Sequence, residues 1–125
     1  MANRDFKDVQ SNYRDVKEVH LKVSIGATGA PTLDSFSAGY ASIVRNGTGD
    51  YTITMAEGYS GFLNGLITYL DSTTADFLFQ WDSINDSTSA FGFRCIGADG
   101  STAVEDPANG STLYITLWLR NSSVK

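Results

Sequence analysis

Hydrophobic and polar residues alternate one by one along most of the chain, which is typical of β-strands with one buried face. The clearest example is residues 112–120 (TLYITLWLR), in which every second side chain is aliphatic. Residues 18–25 (EVHLKVSI) alternate in the same way and place His20 on the polar side, where we expect it to be exposed. Both runs predict half-buried strands.

Residues 40–55 (YASIVRNGTGDYTITM) predict a β-hairpin. Two alternating runs, 40–45 and 50–55, flank the link NGTG. Asparagine and glycine tolerate the positive φ angles that tight hairpin connections require. We therefore expect the link to be a surface turn between two neighbouring antiparallel strands.

Three shorter apolar runs predict further strands. Residues 66–70 (LITYL) are almost wholly apolar, which suits a central strand. Residues 77–81 (FLFQW) and 91–96 (FGFRCI) are expected to pair across a polar link. Their aromatic side chains are expected in the core: Phe77, Phe79, Trp81, Phe91 and Phe93. Between the strands, GATGAPTLDSFSAG is interpreted as a loop, and EGYSGFLNG as a short helical turn or an irregular crossing.

The whole pattern indicates about seven short strands, joined by loops of unequal length and without a fixed repeat. Such a pattern favours an all-β fold, an antiparallel β-sandwich that is jelly-roll-like or Ig-like. No long helical pattern alternates with the strands, so a parallel α/β fold is not expected. A chain of 125 residues suffices for one such domain.

The beginning of the chain differs from the rest. Residues 2–17 (ANRDFKDVQSNYRDVK) mix both signs of charge, and Phe6, Val9, Tyr13 and Val16 recur at helical spacing. A helix this short is marginal alone in water. We therefore expect either a frayed arm or an arm that docks on another molecule, such as a neighbouring subunit. The candidate residues for such a contact are Arg4, Phe6, Lys7, Val9, Tyr13 and Arg14.

The sequence thus divides into a short charged N-terminal arm, residues 1–17, and a β-sandwich body, residues 18–125. The chain carries 9 Lys and Arg against 14 Asp and Glu, a net charge of −5. An acidic protein is a poor partner for nucleic acid or an anionic membrane, because phosphate binding relies on clustered Lys and Arg. The start of the chain lacks the apolar core of a signal peptide, and we expect synthesis in a cytoplasm.

Candidate catalytic groups are few. Most carboxylates lie in turn contexts, where Asp accepts hydrogen bonds from nearby backbone amides. Glu57, Glu105 and Asp106 are the best acid–base candidates, and the only histidine, His20, is distant from them in sequence. The only cysteine, Cys95, lies in an alternating run and is expected to be a buried, inert thiol. We expect a protein that is not an enzyme.

A calcium site is the alternative that the loop before the last strand leaves open. Asp99, Glu105, Asp106 and Asn109 carry the oxygen ligands that calcium prefers. Their spacing lacks the run of alternating Asp residues of an EF-hand loop. We expect neither a cofactor nor a resident metal.

Three segments taken in order carry a resemblance to a known group of proteins. They are GATGAPT at residues 26–32, SIVRNGTGDYTITM at 42–55, and DPANGSTLYITLWLRNSS at 106–123. Together they resemble small virion structural proteins of tailed bacteriophages. The resemblance implies a β-sandwich that decorates a capsid or forms part of a tail or fibre.

Capsid decoration (cement) proteins typically bind as trimers at local three-fold positions and clamp neighbouring capsomers. The resemblance therefore implies a homotrimer on the capsid surface of the virion, bound to the major capsid protein. An alternative is a receptor- or carbohydrate-binding module of a tail or head fibre, with the exposed aromatic candidates Tyr40, Tyr59, Tyr114 and Trp118. A third is a small enzyme, such as a cell-wall hydrolase, that uses the three candidate carboxylates.

Overall fold

The computed structural model describes residues 16–73, 77–97 and 103–120, and these form eight strands in two four-stranded antiparallel sheets. The strands are β1 (Val16–Ile25), β2 (Pro31–Leu33), β3 (Ala41–Gly47), β4 (Asp50–Met55), β5 (Gly61–Leu70), β6 (Phe77–Asn85), β7 (Ala90–Gly97) and β8 (Thr112–Arg120). Two short 3-10 helical turns, Ala27–Gly29 and Ser37–Gly39, flank β2 in the chain. The prediction of an antiparallel β-sandwich is confirmed.

Sheet A has the strand order β2-β1-β8-β5, and sheet B has the order β3-β4-β7-β6. The central strands of both sheets supply one continuous core, because their alternating side chains point toward the opposite sheet. Its fully buried members come from both layers: Val23, Leu113, Leu117, Tyr51, Ile53 and Phe93.

Strands β1 and β8 form the longest continuous ladder. They pair antiparallel from Val16 opposite Arg120 to Ser24 opposite Thr112. Strict alternation in both strands puts the aliphatic side chains of the pair on the inner face and the polar ones on the outer face. Strand β1 begins at Val16, two residues before the start that the sequence pattern predicts.

The predicted hairpin is formed by β3 and β4, which pair from Ala41 opposite Met55 to Gly47 opposite Asp50. In the turn, Gly49 takes the left-handed conformation with φ of 64°. A side chain there would also approach the backbone oxygen of Glu105 within 2.7 Å, so the turn fits closely against the loop before β8.

The structure corrects three predictions about individual elements. The segment 66–70 is not a central strand: it belongs to β5, which among the described strands is an edge strand hydrogen-bonded to β8 alone. Residues 61–65, predicted as a helical turn or an irregular crossing, form the first half of the same strand. The eighth strand, β2, lies inside a segment interpreted as loop, because three residues are too few to show an alternating pattern.

The predicted aromatic core is present. Phe91 and Phe93 are buried, and Tyr51 stacks on Phe93 with 5.3 Å between ring centroids. Phe79 and Trp81, from the edge strand β6, pack against the same cluster but are only partly covered. The aromatic side chains therefore fill the space between the sheets.

Candidate functional site

Asp106 joins three loops at one end of the sandwich. Its Oδ1 accepts hydrogen bonds from Arg45 Nε at 3.0 Å and from the backbone N–H of Gly49 at 2.8 Å. Its Oδ2 accepts a hydrogen bond from Arg45 Nη2 at 2.8 Å. The guanidinium group thus binds the carboxylate with two parallel hydrogen bonds, the strongest geometry for such a pair.

The third loop reaches Asp106 through Tyr51 and Gly29. The Tyr51 hydroxyl donates a hydrogen bond to the backbone oxygen of Gly29 at 2.8 Å and lies 3.4 Å from Asp106 Oδ1. Gly29 has a φ of 76°, and a Cβ atom there would lie 2.5 Å from Asp106 Cγ. Glycine is therefore needed at this position both for the backbone angle and for the space that the carboxylate occupies. We call Gly29, Arg45, Gly49, Tyr51 and Asp106 the loop junction.

The electrostatics of the loop junction follow from these contacts. The hydrogen bond from Arg45 holds the pKa of the Asp106 carboxyl below its usual value, and the pKa of Arg45 is raised in turn. Burial raises the pKa of the Tyr51 hydroxyl, so this group stays protonated and acts as a donor. Asp106 is thus an ionised group whose two oxygens are occupied by the protein itself.

The other candidate carboxylates are not brought together with Asp106 into a cleft. Glu105 contacts Gly97 with its side chain and donates its backbone N–H to Cys95 O at 3.0 Å. Glu57 is exposed in the connection between β4 and β5. Asp99 of the alternative calcium site lies outside the described residues, and within them no three His, Cys, Asp or Glu side chains are grouped to hold a metal ion.

Cys95 lies in β7 with its side chain in the core. Burial raises the pKa of its thiol to about 12, so the reactive thiolate is scarcely populated near neutral pH. The prediction of a buried thiol at this position is confirmed.

A second group of polar side chains lies on the outer face of sheet A. Trp118 Nε1 donates a hydrogen bond to Glu18 Oε1 at 2.9 Å, and Glu18 Oε2 lies 2.6 Å from His20 Nε2. The other ring nitrogen of His20 lies 3.2 Å from Thr116 Oγ1. The group follows from register, because Glu18 is opposite Trp118 and His20 is opposite Thr116 in the β1–β8 ladder.

The next cross-strand pair continues this group. Lys22 Nζ lies 5.9 Å from the centroid of the Tyr114 ring, within the range of a cation–π contact. Tyr114 is more than one-third exposed, and Trp118 is partly exposed. We call Glu18, His20, Lys22, Tyr114, Thr116 and Trp118 the polar face. It offers two aromatic rings and several hydrogen-bonding groups on one flat surface.

Thr116, His20 and Glu18 have the order of a hydroxyl–histidine–acid relay, but their surroundings do not suit nucleophilic catalysis. The His20 side chain is 66% exposed, as predicted, and the three groups lie on an open sheet. Thr116 belongs to β8, which has hydrogen-bonded neighbours on both sides. Its strand backbone therefore supplies no spare pair of N–H groups for an oxyanion.

The four aromatic candidates for ligand binding separate in the structure. Tyr114 and Trp118 share the polar face, and Tyr40 lines an open depression of about 260 Å³ together with Glu18 and His20 of that face. Tyr59 is buried in the core, and its backbone N–H donates to Ser89 Oγ at 2.9 Å. The prediction that Tyr59 is exposed is wrong.

The predicted contact residues of the arm fall outside the part of the chain that the structure describes. They are Arg4, Phe6, Lys7, Val9, Tyr13 and Arg14. The last two residues assigned to the arm, Val16 and Lys17, belong to β1.

Three comparisons with known proteins complete the description. No protein-family model, no curated protein and no solved structure matches the chain. Within the described ranges, no helix has the length and apolar character needed to span a membrane. Function is therefore inferred from the residues of this chain alone.

Proposed function

We propose that the chain is a bacteriophage virion structural protein, a capsid decoration protein that stabilises the head by bridging copies of the major capsid protein. The proposal rests on the three segments that resemble small phage virion proteins. One structural observation supports it: residues from all three segments meet in the loop junction.

Each segment contributes to this junction. Gly29 belongs to GATGAPT, Arg45, Gly49 and Tyr51 belong to the hairpin segment, and Asp106 is the first residue of the tail segment. Turn sequences rich in Asn and Gly are common when taken singly. In this chain the three segments are far apart in sequence but share one set of hydrogen bonds, so they form one structural unit.

The physical role that fits this body is mechanical. A sandwich whose loops are held together by a charged pair presents a rigid surface, and rigid surfaces bind with a small loss of conformational entropy. We propose that the arm supplies further contacts with the capsid or with neighbouring subunits. Several copies bound as a homotrimer then combine modest individual affinities into strong attachment.

Binding to capsids tests the proposal. Purified protein is mixed with expanded capsids assembled from the major capsid protein of the same genome, and co-sedimentation measures the bound amount. We expect saturable, stoichiometric binding to expanded capsids and weaker binding to unexpanded ones. A protein that stays in the supernatant with both kinds of capsid is not a decoration protein.

Two variants locate the capsid contact. Deletion of residues 2–15 removes the arm but leaves β1 whole, and we expect it to weaken capsid binding. Val44→Lys changes an exposed side chain on β3 and serves as the surface control. Equal binding by the deletion variant and the full chain would assign the capsid contact to the body.

The polar face favours a second candidate function, carbohydrate binding by a module of a tail or head fibre. Aromatic rings beside carboxylate, imidazole and hydroxyl groups provide both stacking surfaces and hydrogen bonds for a sugar ring. In this alternative, Trp118 is the main stacking residue, with its indole oriented by Glu18.

A glycan array with the purified chain tests the second candidate. We expect any glycan signal to be lost in Trp118→Ala and kept in Val44→Ala, because Val44 is exposed on β3 of the other sheet. Absence of binding to any glycan, or equal loss in both variants, would count against a binding site on this face.

A further inference from the structure

The two sides of the sandwich differ in how their edge strands are protected. On one side lie β2 and β3. Strand β2 has only three residues and begins with Pro31, and β3 carries the charged Arg45. Short length, proline and charge are the devices that prevent an edge from pairing with another chain. On the other side lie β5 and β6, of ten and nine residues.

Strands β5 and β6 together form a long edge that is protected in one half only. Strand β5 has a bulge in its first half, and β6 has a bulge in its second half. In that half of the edge, Trp81 Nε1 donates to Gly65 O at 3.3 Å, and Asp86 Oδ1 accepts from the backbone N–H of Phe62 at 2.9 Å. The other half consists of residues 66–70 and 77–80, which contain no charged side chain. We call these nine residues the open edge.

The open edge exposes large apolar side chains on both outer faces. Leu66 and Leu70 are 55% and 54% exposed on sheet A, and Leu78 is 60% exposed on sheet B. Between the two strands, a groove of about 280 Å³ is lined by Leu66, Ile67, Phe77, Leu78, Phe79 and neighbouring residues. Single exposed leucines are common on protein surfaces, but a cluster of exposed apolar side chains around one unprotected sheet edge indicates an interaction surface.

The core is also incompletely covered at this edge. Tyr69 packs against Phe77 and Phe79 with ring centroids 5.3 and 6.0 Å apart, and all three rings remain only partly buried. The aromatic side chains of the central strands of sheet B, Tyr51, Phe91 and Phe93, are by contrast fully buried. Residues 66–70 therefore have the composition of a strand covered on both faces but the position of an edge strand.

We propose that the open edge is the surface through which copies of this chain associate, so that a second copy covers Leu66, Leu70 and Leu78. Charge restricts where a second copy can approach. Residues 23–125 hold ten acidic and four basic side chains, so two bodies repel each other over most of their surface. The uncharged open edge is where they approach with the least repulsion.

The size of the edge fits this role. Ten residues of β5 span about 34 Å, and two sheets about 10 Å apart with their outer side chains make an edge about 20 Å wide. That corresponds to about 700 Å² on each subunit, close to the roughly 800 Å² of a standard interface. The apolar open edge would form its centre, and the bulged, capped half would form part of its rim.

Two closed arrangements use the same surface. In a two-fold contact, β5 pairs antiparallel with its counterpart around Thr68, so that Leu66 of each copy lies beside Leu70 of the other. In a three-fold ring, β5 of one copy packs against β6 of the next. Either arrangement covers the open edge, and neither depends on the virion role, since the contact belongs to the protein alone.

Light scattering during size-exclusion chromatography of the purified full chain tests the proposal. We expect a discrete oligomer, a dimer or a trimer of the 13.5 kDa chain. Leu66→Lys combined with Leu78→Lys should weaken association at least tenfold and give monomers at the same concentration. Val44→Lys is the matched control, because Val44 is 55% exposed on the protected side of the sandwich.

Cross-linking provides a second measurement if the lysine variant does not fold. The only native cysteine is buried, so a cysteine introduced by Thr68→Cys on the exposed face of β5 is the accessible thiol for a bismaleimide. We expect intermolecular cross-links for Thr68→Cys and few for Val44→Cys. A monomeric full chain, open-ended aggregates, an oligomer that persists in the lysine variant, or equal cross-linking at both positions would overturn the proposal.

Discussion

Asp106 and Arg45 lie 61 positions apart in the chain and form a salt bridge of 2.8 Å with two parallel hydrogen bonds. Arg45 belongs to the hairpin of sheet B, and Asp106 belongs to the loop that leads into β8 of sheet A. The pair therefore links the two sheets at one end through polar contacts, in addition to the apolar core between them.

The first prediction concerns the charge of this pair. Asp106→Asn keeps the size of the side chain but removes the charge that binds Arg45, and a hydrogen bond to a charged partner contributes more than a neutral one. We expect the midpoint of thermal unfolding to fall by about 5 °C. The same change at an exposed carboxylate, Glu57→Gln, should leave it nearly unchanged. Equal midpoints for both variants would show that the pair contributes nothing to stability.

The second prediction concerns pH. Arg45 lowers the pKa of Asp106 in the folded state, so the unfolded state binds the proton more readily. The ionised Asp106 carboxylate therefore makes its full contribution to stability above its pKa in the unfolded state, near 3.8. This contribution is lost as pH falls through the lower pKa that Asp106 has in the folded state. Chemical denaturation between about pH 7 and about pH 2 should show a decline below about pH 4 that is smaller in Asp106→Asn. A decline of the same size in both proteins would assign it to other carboxylates.

The third prediction concerns the glycine against which Asp106 packs. In Gly29→Ala, alanine must adopt the left-handed backbone conformation that glycine has in the native protein, and its methyl group would lie 2.5 Å from Asp106 Cγ. We expect a loss of about 2 kcal/mol in the free energy of unfolding. Gly39→Ala is the control, because a Cβ atom there meets no neighbour within 4 Å and its φ is not positive. Urea denaturation of the two variants should separate them clearly.

The sequence predicted the fold class because period-two alternation is visible in each strand separately. The β1–β8 ladder and the β3–β4 hairpin are the best examples, since each run has one apolar face and polar neighbours. Strand position was harder to predict. Residues 66–70 have apolar side chains on both faces, which normally means a covered strand, whereas the single chain leaves one face open. Apolar composition therefore does not distinguish an edge strand such as β5 from a central one.

The loop junction could not be predicted in the same way. The sequence makes Asp106 a candidate for catalysis or cation binding, because its position in a loop does not distinguish these roles from that of a structural ion pair. Its partner Arg45 is in another sheet, and nothing local in the sequence joins them. Positive φ at Gly49, in the NGTG link, is the one feature of the junction that turn composition indicated.

The fourth prediction concerns the thiol of Cys95. Because burial raises its pKa to about 12, the thiol should react with DTNB only when the protein opens. We expect the reaction of the folded protein at about pH 8 to be at least a hundredfold slower than that of the unfolded chain. Absorbance of the released thiolate measures both rates. A fast reaction in the folded state would show that β7 opens easily.

The fifth prediction concerns the boundary between arm and body. Val16 pairs with Arg120 and Lys17 pairs with Leu119, so the β1–β8 ladder starts at residue 16. Deletion of residues 2–15 keeps every described strand, and we expect a folded protein with nearly the same midpoint and steepness of urea unfolding. Deletion of residues 2–17 removes two pairs of the ladder and should lower the free energy of unfolding by about 1 kcal/mol. If the shorter deletion already unfolds the chain, residues 2–15 are part of the folded core, and the division into arm and body is wrong.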